Sequence, residues 1–426
     1  MKQICFILIV SALMFPLIEH NINVFEEEGL NGAFETQTEP KLTSKNWFSG
    51  SFQEDYSLYL NDTIGLRKTM TRFYNQYSFS LFKKANSKGT VVGEDDILFT
   101  DVVIDSYLGK NFVGEKKLSE LAHKFIEVQE DLASKNILLL AVLAPGKASF
   151  MKDSLSSRFV KNKKKNNYEY LSQELKSLNA NVIDLSMFLR NASSTHPLYP
   201  KNGTHWSGYS TTITFEIIQK FIEKKINKKL RGYASKEGEV TKTEMRYTDN
   251  DIADAMNLMF PLENYNMFYP KIDFDKGDFY RPNTLIIGDS YAQSYYGFYP
   301  FYETVFSSES RLWYYNRIVL WPYQGSSEKN VSSLNVKEEI LSRDVIIFFT
   351  TEDNIHNLGF GFLEEYDFLM KGNKSPREMA ILKIVDNIKN NPQKMKHIKK
   401  QAHERGQTVE ETIRANAVYV YNSTSI

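Results

Sequence analysis

The sequence predicts an α/β protein with a mostly parallel sheet covered by helices on both sides. Continuous apolar runs recur at Ile137–Ala144, Val182–Leu185, Leu285–Ile287 and Val345–Phe349. Unbroken apolar runs of this kind read as strands buried on both faces. Between them lie residues at helical spacing: Leu118, Leu121, Ala122, Phe125 and Val128, then Leu171, Leu175 and Leu178, then Thr212–Ile226. Helices alternating with buried strands give a parallel sheet with helical crossovers.

The chain has 426 residues, 42% of them hydrophobic, with Lys+Arg and Asp+Glu both totalling 52. That is enough apolar material for a sizeable core, and the balanced charge disfavours a nucleic-acid binder. The single cysteine, Cys5, excludes an intramolecular disulfide and a cysteine-based zinc site. No spacing of histidines or acids suggests a metal, and no cofactor is expected. The first 18 residues read as a signal peptide or signal anchor: Lys2 precedes an apolar stretch from Ile4 to Ile18, about 15 residues, which is short of the roughly 20 that span a bilayer.

Residues 19–45 are polar and turn-rich and read as a stalk. Leu66, Met70, Phe73 and Tyr77 then recur at helical spacing, and Val91–Phe99 reads as a strand and turn. The main domain is expected over 46–370, followed by a helical C-terminal extension over 371–426. Ser375-Pro376-Arg377-Glu378 and Thr408–Glu411 in that extension carry helix-opening capping boxes.

The sharpest chemical signal is Leu285-Ile286-Ile287-Gly288-Asp289-Ser290-Tyr291, an apolar strand that runs directly into Gly-Asp-Ser. Ligand sites of α/β sheets lie at the carboxyl ends of strands, where a serine exposes its hydroxyl and its backbone N–H faces a developing oxyanion. The alternative is a plain helix N-cap. A nucleophilic serine needs a base. Of seven histidines, His20 lies in the stalk, His123 on a surface-type helix, and His397 and His403 on the basic C-terminal helices. His196, His205 and His356 remain. His205, followed by Trp206 in a polar loop before a helix, suits a base held by an aromatic neighbour, or a structural loop histidine. Phe349-Thr350-Thr351-Glu352-Asp353-Asn354 is a second strand end. There Asn354 is a candidate oxyanion donor and Glu352 a candidate for orienting a base or a sugar hydroxyl, against ordinary helix capping. Lys147, in Pro145-Gly146-Lys147, reads as a solvated turn residue.

Four short motifs in order, Gly93-Glu94-Asp95-Asp96-Ile97-Leu98-Phe99, Ala144-Pro145-Gly146-Lys147-Ala148, Thr204-His205-Trp206 and Gly288-Asp289-Ser290-Tyr291, resemble the alginate O-acetyltransferase family (AlgX and AlgJ, SGNH-hydrolase-like), particularly its Bacteroidetes versions. The resemblance covers roughly residues 46–370. It implies a flavodoxin-like, three-layer SGNH-hydrolase fold and acetyl transfer to an exopolysaccharide. It implies work beside a membrane-bound O-acyltransferase, in the periplasm or cell envelope, by an exported chain released or held by its uncleaved signal. Ser290 takes the place of the family's nucleophile and His205 that of its base.

The family's Asp-x-His motif would put an aspartate at 203, where this chain has Gly203. Because a carboxylate fixes the base's tautomer, the site runs as a Ser-His dyad, or borrows Asp184 or Asn202, or has lost catalysis. Asp184 follows a strand, and a simple loop aspartate is its alternative. The expected function is an O-acetyltransferase that works through a serine acyl-enzyme, with the acyl donor supplied by another protein or a small molecule. A carbohydrate esterase of the same fold is the alternative. So is a non-catalytic polysaccharide-binding or assembly protein, which Gly203 favours. The expected site comprises Ser290, His205 and Asp184, with Gly288, Asp289, Tyr291, Asn354, Glu352 and Trp206 at the substrate or oxyanion.

Overall fold

The computed structural model describes residues 2–22, 24–32, 37–161, 163–192, 194–322, 329–372, 374 and 376–424. Its strands in chain order are β1 (Thr90–Val92), β2 (Leu98–Thr100), β3 (Leu138–Ala144), β4 (Val182–Asp184), β5 (Tyr233–Thr241), β6 (Met267–Phe274), β7 (Thr284–Gly288), β8 (Arg311–Tyr314), β9 (Ile318–Trp321), β10 (Lys329–Asn330) and β11 (Val345–Thr351). Seven of them form one sheet in the order β10-β9-β8-β7-β11-β3-β4. From β8 to β4 every pairing is parallel, and the two pairings at the edge, β8 with β9 and β9 with β10, are antiparallel.

The central strands alternate their side chains between two apolar layers, as the pleat requires. Leu139, Ala141, Leu143, Leu285, Ile287, Ile346 and Phe348 pack against the helices Glu115–Ser134, Asn167–Ser177 and Phe362–Lys371. Leu140, Val142, Ala144, Ile286, Val345, Ile347 and Phe349 pack against Gly208–Ile226, Ser290–Gly297 and Phe301–Val305. This is the three-layer α/β architecture expected, with β3, β4, β7 and β11 at the four apolar runs.

Strands β5 and β6 form an arm outside the main sheet, paired antiparallel with a bulge between Lys236 and Glu239. The connection between them carries a one-turn helix, Asp251–Ala255. At the C-terminus, Pro376–Lys389, Pro392–Arg405 and Val409–Thr424 enclose a small core of their own, centred on Ile381, Val385, Ile398 and Ile413. Thr408 and Glu411 form their reciprocal cap, whereas Ser375 lies outside the described residues.

Lys2–Ile22 is one helix of 21 residues, which continues through Pro16 and is long and apolar enough to cross a membrane. The segment read as a stalk is held to the body: Glu27 accepts hydrogen bonds from the Thr69 backbone N–H (2.7 Å) and Oγ1 (2.6 Å), and the Asn31 N–H donates to Asn257 Oδ1.

Candidate active site

Ser290 stands at the carboxyl end of β7, in the first turn of the helix Ser290–Gly297. The turn is tight: a Cβ at Gly288 would lie 3.0 Å from the Cβ atoms of Ala292 and Phe349. Asp289 caps the helix, its Oδ1 accepting from the Tyr291 N–H. The Ser290 N–H, in the first turn, has no intrahelical acceptor by helix geometry and is a free donor at the helix's positive end.

His205 reaches this turn from the loop that precedes Gly208–Ile226. The Ser290 hydroxyl donates to His205 Nε2 at 2.9 Å. The other ring nitrogen, Nδ1, donates to Asp251 Oδ2 at 2.8 Å, since a carboxylate can only accept. Asp251 Oδ1 takes the Thr204 backbone N–H at 2.8 Å. One carboxylate thus holds both the imidazole and the loop bearing it. Serine hydroxyl, imidazole and carboxylate in this order form a relay that can deprotonate the hydroxyl and stabilise the resulting imidazolium.

Asp251 was not among the residues singled out from the sequence; it comes from the one-turn helix between β5 and β6. The same connection explains Gly203. A Cβ there would lie 2.5 Å from Thr248 O and 2.9 Å from the Asp249 carbonyl carbon. The backbone that delivers Asp251 therefore fills the space an aspartate at 203 would need.

The structure corrects Asp184. Its Oδ1 accepts from Tyr168 Oη at 2.7 Å and caps the helix Leu185–Asn191 through Ser186 N–H, and its Oδ2 pairs with Lys176. Nor does Asn202 substitute, because its side-chain amide donates to Leu262 O. His196 stacks on Phe268 with ring centroids 4.0 Å apart.

Lys147 is not solvated. It is fully buried, and its ammonium donates to Leu98 O (2.7 Å), Lys201 O (2.9 Å) and Gly203 O (2.7 Å), tying β2 to the histidine loop. Burial pulls its pKa down to about 7, against the opposing pull of Asp251 and Asp249. Asp249 is buried against Tyr269 Oη (2.7 Å), and burial pushes it up to about 8.

The remaining candidates brace the site from within. Trp206 is fully buried and donates from Nε1 to Ser294 Oγ at 2.8 Å, so it supports the serine helix and presents no face to a substrate. Tyr291 packs its ring 4.8 Å from that of His205 and donates to Thr204 O at 2.8 Å. Asp289 Oδ2 accepts from the Thr351 N–H (2.8 Å), Thr351 Oγ1 (2.7 Å) and Asn354 Nδ2 (3.2 Å). The Asn354 amide is therefore turned to Asp289. Burial, with Asp353 nearby, pushes Asp289 up to about 6. Glu352 orients no base. It is buried, accepts from Gly146 N–H and Asn166 Nδ2 (both 3.1 Å), and burial raises it to about 7. Among the described residues, no group of three His, Cys, Asp or Glu is placed to hold a metal.

A family model described as the SGNH hydrolase-like domain of acetyltransferase AlgX matches residues 90–309, just over half of the chain. Structurally similar chains include the O-acetyltransferase domain of Pseudomonas putida AlgJ, at 12% identity and a TM-score of 0.41, covering 67% of this chain and 99% of that one. Pseudomonas aeruginosa AlgX gives 14% identity and a TM-score of 0.43, covering 67% and 71%. Bacillus cereus PatB1 gives 13% and 0.39, covering 64% and 99%. No curated protein matches the chain.

Two outcomes follow from the packing. Gly203→Ala drives a methyl into the 248–249 backbone and should destabilise the fold by about 1–3 kcal/mol, measurable as a lowered denaturant midpoint. Glu352, raised to about 7, holds a proton in the folded chain that the unfolded chain has already released. Stability from this group is therefore present at low pH and lost as pH rises through about 7. Denaturant midpoints compared at pH 5 and pH 8 should fall less in Glu352→Gln than in the parent.

Proposed function

The chain belongs to the AlgX acetyltransferase family of SGNH-hydrolase-like domains, and from that premise we propose that it transfers an acetyl group through Ser290 onto hydroxyls of an exported polysaccharide. The observation that carries the reading is the continuous relay Ser290–His205–Asp251, with contacts of 2.9 and 2.8 Å. It answers the question raised by Gly203, because the acid is present and comes from elsewhere in the chain.

In the first half-reaction Ser290 Oγ attacks the carbonyl carbon of an acetyl donor while His205 Nε2 takes the hydroxyl proton. The Ser290 N–H at the helix N-terminus faces the oxyanion that forms. The C–O or C–S bond to the donor breaks, and the proton on His205 passes to the leaving atom. In the second half a sugar hydroxyl gives its proton to His205, attacks the acetyl-serine, and Ser290 recovers its proton. Asp251 keeps Nδ1 protonated throughout and offsets the charge of the imidazolium.

Lys2–Ile22 fits an uncleaved signal anchor that holds the domain at the outer side of the inner membrane. A membrane-bound O-acyltransferase that passes acetyl groups outward would then be the donor. The acceptor glycan is read from the family alone.

Mass spectrometry of the parent incubated with an aryl acetate should find an acetyl group on the Ser290 peptide, and Ser290→Ala should abolish both that adduct and aryl-acetate turnover. Asp251→Asn should lower kcat by on the order of 10³–10⁴ with the fold intact. Wild-type rates in Asp251→Asn would sink the relay. Acetyl delivered only to water, with none on an added acceptor glycan, would identify a hydrolase instead.

A further inference from the structure

The helix Arg67–Phe82 turns most of its apolar side chains outward. The side that faces the protein buries Phe79 against Leu98, Ile252 and Met256 and is otherwise polar: Arg72 donates to Glu28 O (3.1 Å) and Gly29 O (2.7 Å), Asn75 donates to Met256 O (2.9 Å), and Gln76 Oε1 accepts the Phe260 N–H (3.1 Å). Met70, Phe73, Tyr74, Tyr77 and Leu81, spaced i, i+3, i+4, i+7 and i+11, form one apolar stripe, and Phe73 and Leu81 remain 64% and 63% exposed. The sequence pattern that reads as a core face is the outer face. A contiguous exposed apolar face of this kind marks a site of contact with a partner or a membrane.

The position of the apolar N-terminal helix selects between the two. It ends against the turn that joins the helices Ser51–Thr63 and Arg67–Phe82. The Gly65 N–H donates to Pro16 O (3.1 Å), His20 Nδ1 donates to Thr63 O (2.8 Å), and a Cβ at Gly65 would lie 2.6 Å from the Glu19 Cβ. Glu19 and His20 are the first polar residues after the apolar run, so they lie where a spanning helix would leave the hydrocarbon. From His20 a row of aromatic rings continues: His20 to Tyr59 (6.3 Å), Tyr59 to Tyr56 (6.0 Å), Tyr56 to Phe52 (5.5 Å) and Phe52 to Trp47 (6.1 Å). Trp and Tyr are the residues that settle at headgroup depth.

We propose that residues 44–82 form a platform that lies on the bilayer, with the Met70–Leu81 stripe and Trp47 and Phe48 in its interfacial layer. The platform fixes the height and tilt of the acetyltransfer domain above the membrane. The proposal rests on the anchor reading of Lys2–Ile22 and goes beyond it, since an anchor alone tethers the domain without orienting it.

The test uses the full chain in nanodiscs of phosphatidylethanolamine and phosphatidylglycerol, with acyl chains brominated near the headgroup. Trp206, Trp313 and Trp321 are buried, which leaves Trp47, half exposed, as the tryptophan available for contact. Brominated lipid should remove part of the tryptophan emission, and W47F should abolish that loss. Phe73→Trp in the W47F background should restore it. Both substitutions are at exposed positions and leave the core untouched. A chain that stays with the discs but shows no bromine quenching, while aqueous iodide quenches Trp47, overturns the platform alone and leaves the stripe to a protein partner. A chain that does not stay with the discs overturns the anchor and the platform together.

Discussion

The geometry of the site depends on one carboxylate meeting two donors. Asp251 places one oxygen on the Thr204 backbone N–H and the other on His205 Nδ1, so loop position and ring orientation are fixed by the same group. A histidine ring on a free loop samples several rotamers, and ordering it has an entropic cost each time it acts. Here that ordering is done in advance by contacts on several sides: Asp251 at the ring and the loop N–H, Tyr291 Oη at the Thr204 carbonyl, and the Lys147 ammonium under the carbonyls of Lys201 and Gly203. The requirement extends to Gly203, whose missing side chain lets the 248–251 backbone come close enough for the carboxylate to arrive.

The serine side is held by a second acid, and this one is buried. Asp289 joins the turn after β7 to the end of β11 through Thr351 and Asn354. Glu352, one residue beyond β11, does the same for the turn after β3. Polar residues at the carboxyl ends of parallel strands look like substrate contacts in a sequence, because ligands gather there. In this chain three of them face inward and hold the Ser290 hydroxyl and its helix terminus in place. Burial that leaves Asp289 near 6 and Glu352 near 7 fits groups selected for position within a rigid frame.

These contacts explain which parts were readable from residues alone. The four central strands announce themselves as apolar runs because both of their faces are covered, and Gly288-Asp289-Ser290 is conspicuous because it follows one of those runs without a gap. Asp251 has no such signature. It arrives on an arm whose strand β5 is polar and largely exposed along its length, so neither a period of two nor a continuous run marks it. The pairing of β5 with β6 is long-range and becomes visible only in three dimensions. Lys147 was hidden for a different reason: a lysine after Pro-Gly has the composition of a turn, and only the carbonyls converging on it from two other segments make burial tolerable.

The stripe at Met70, Phe73, Tyr74, Tyr77 and Leu81 teaches the complementary lesson. Helical periodicity reports that a face needs an apolar neighbour, and it is silent about whether that neighbour belongs to the same chain. The inward side of this helix buries Phe79 and is otherwise tied to loop backbone by hydrogen bonds that Arg72 and Asn75 donate and Gln76 accepts. Turning the helix over would lay the apolar stripe on those loops and take these partners from the carbonyls of Glu28, Gly29 and Met256 and from the Phe260 N–H, at a cost of about 1–3 kcal/mol for each buried group left unpaired. The outward orientation is therefore imposed by the protein's own polar contacts, and the apolar face is left to meet something outside the fold.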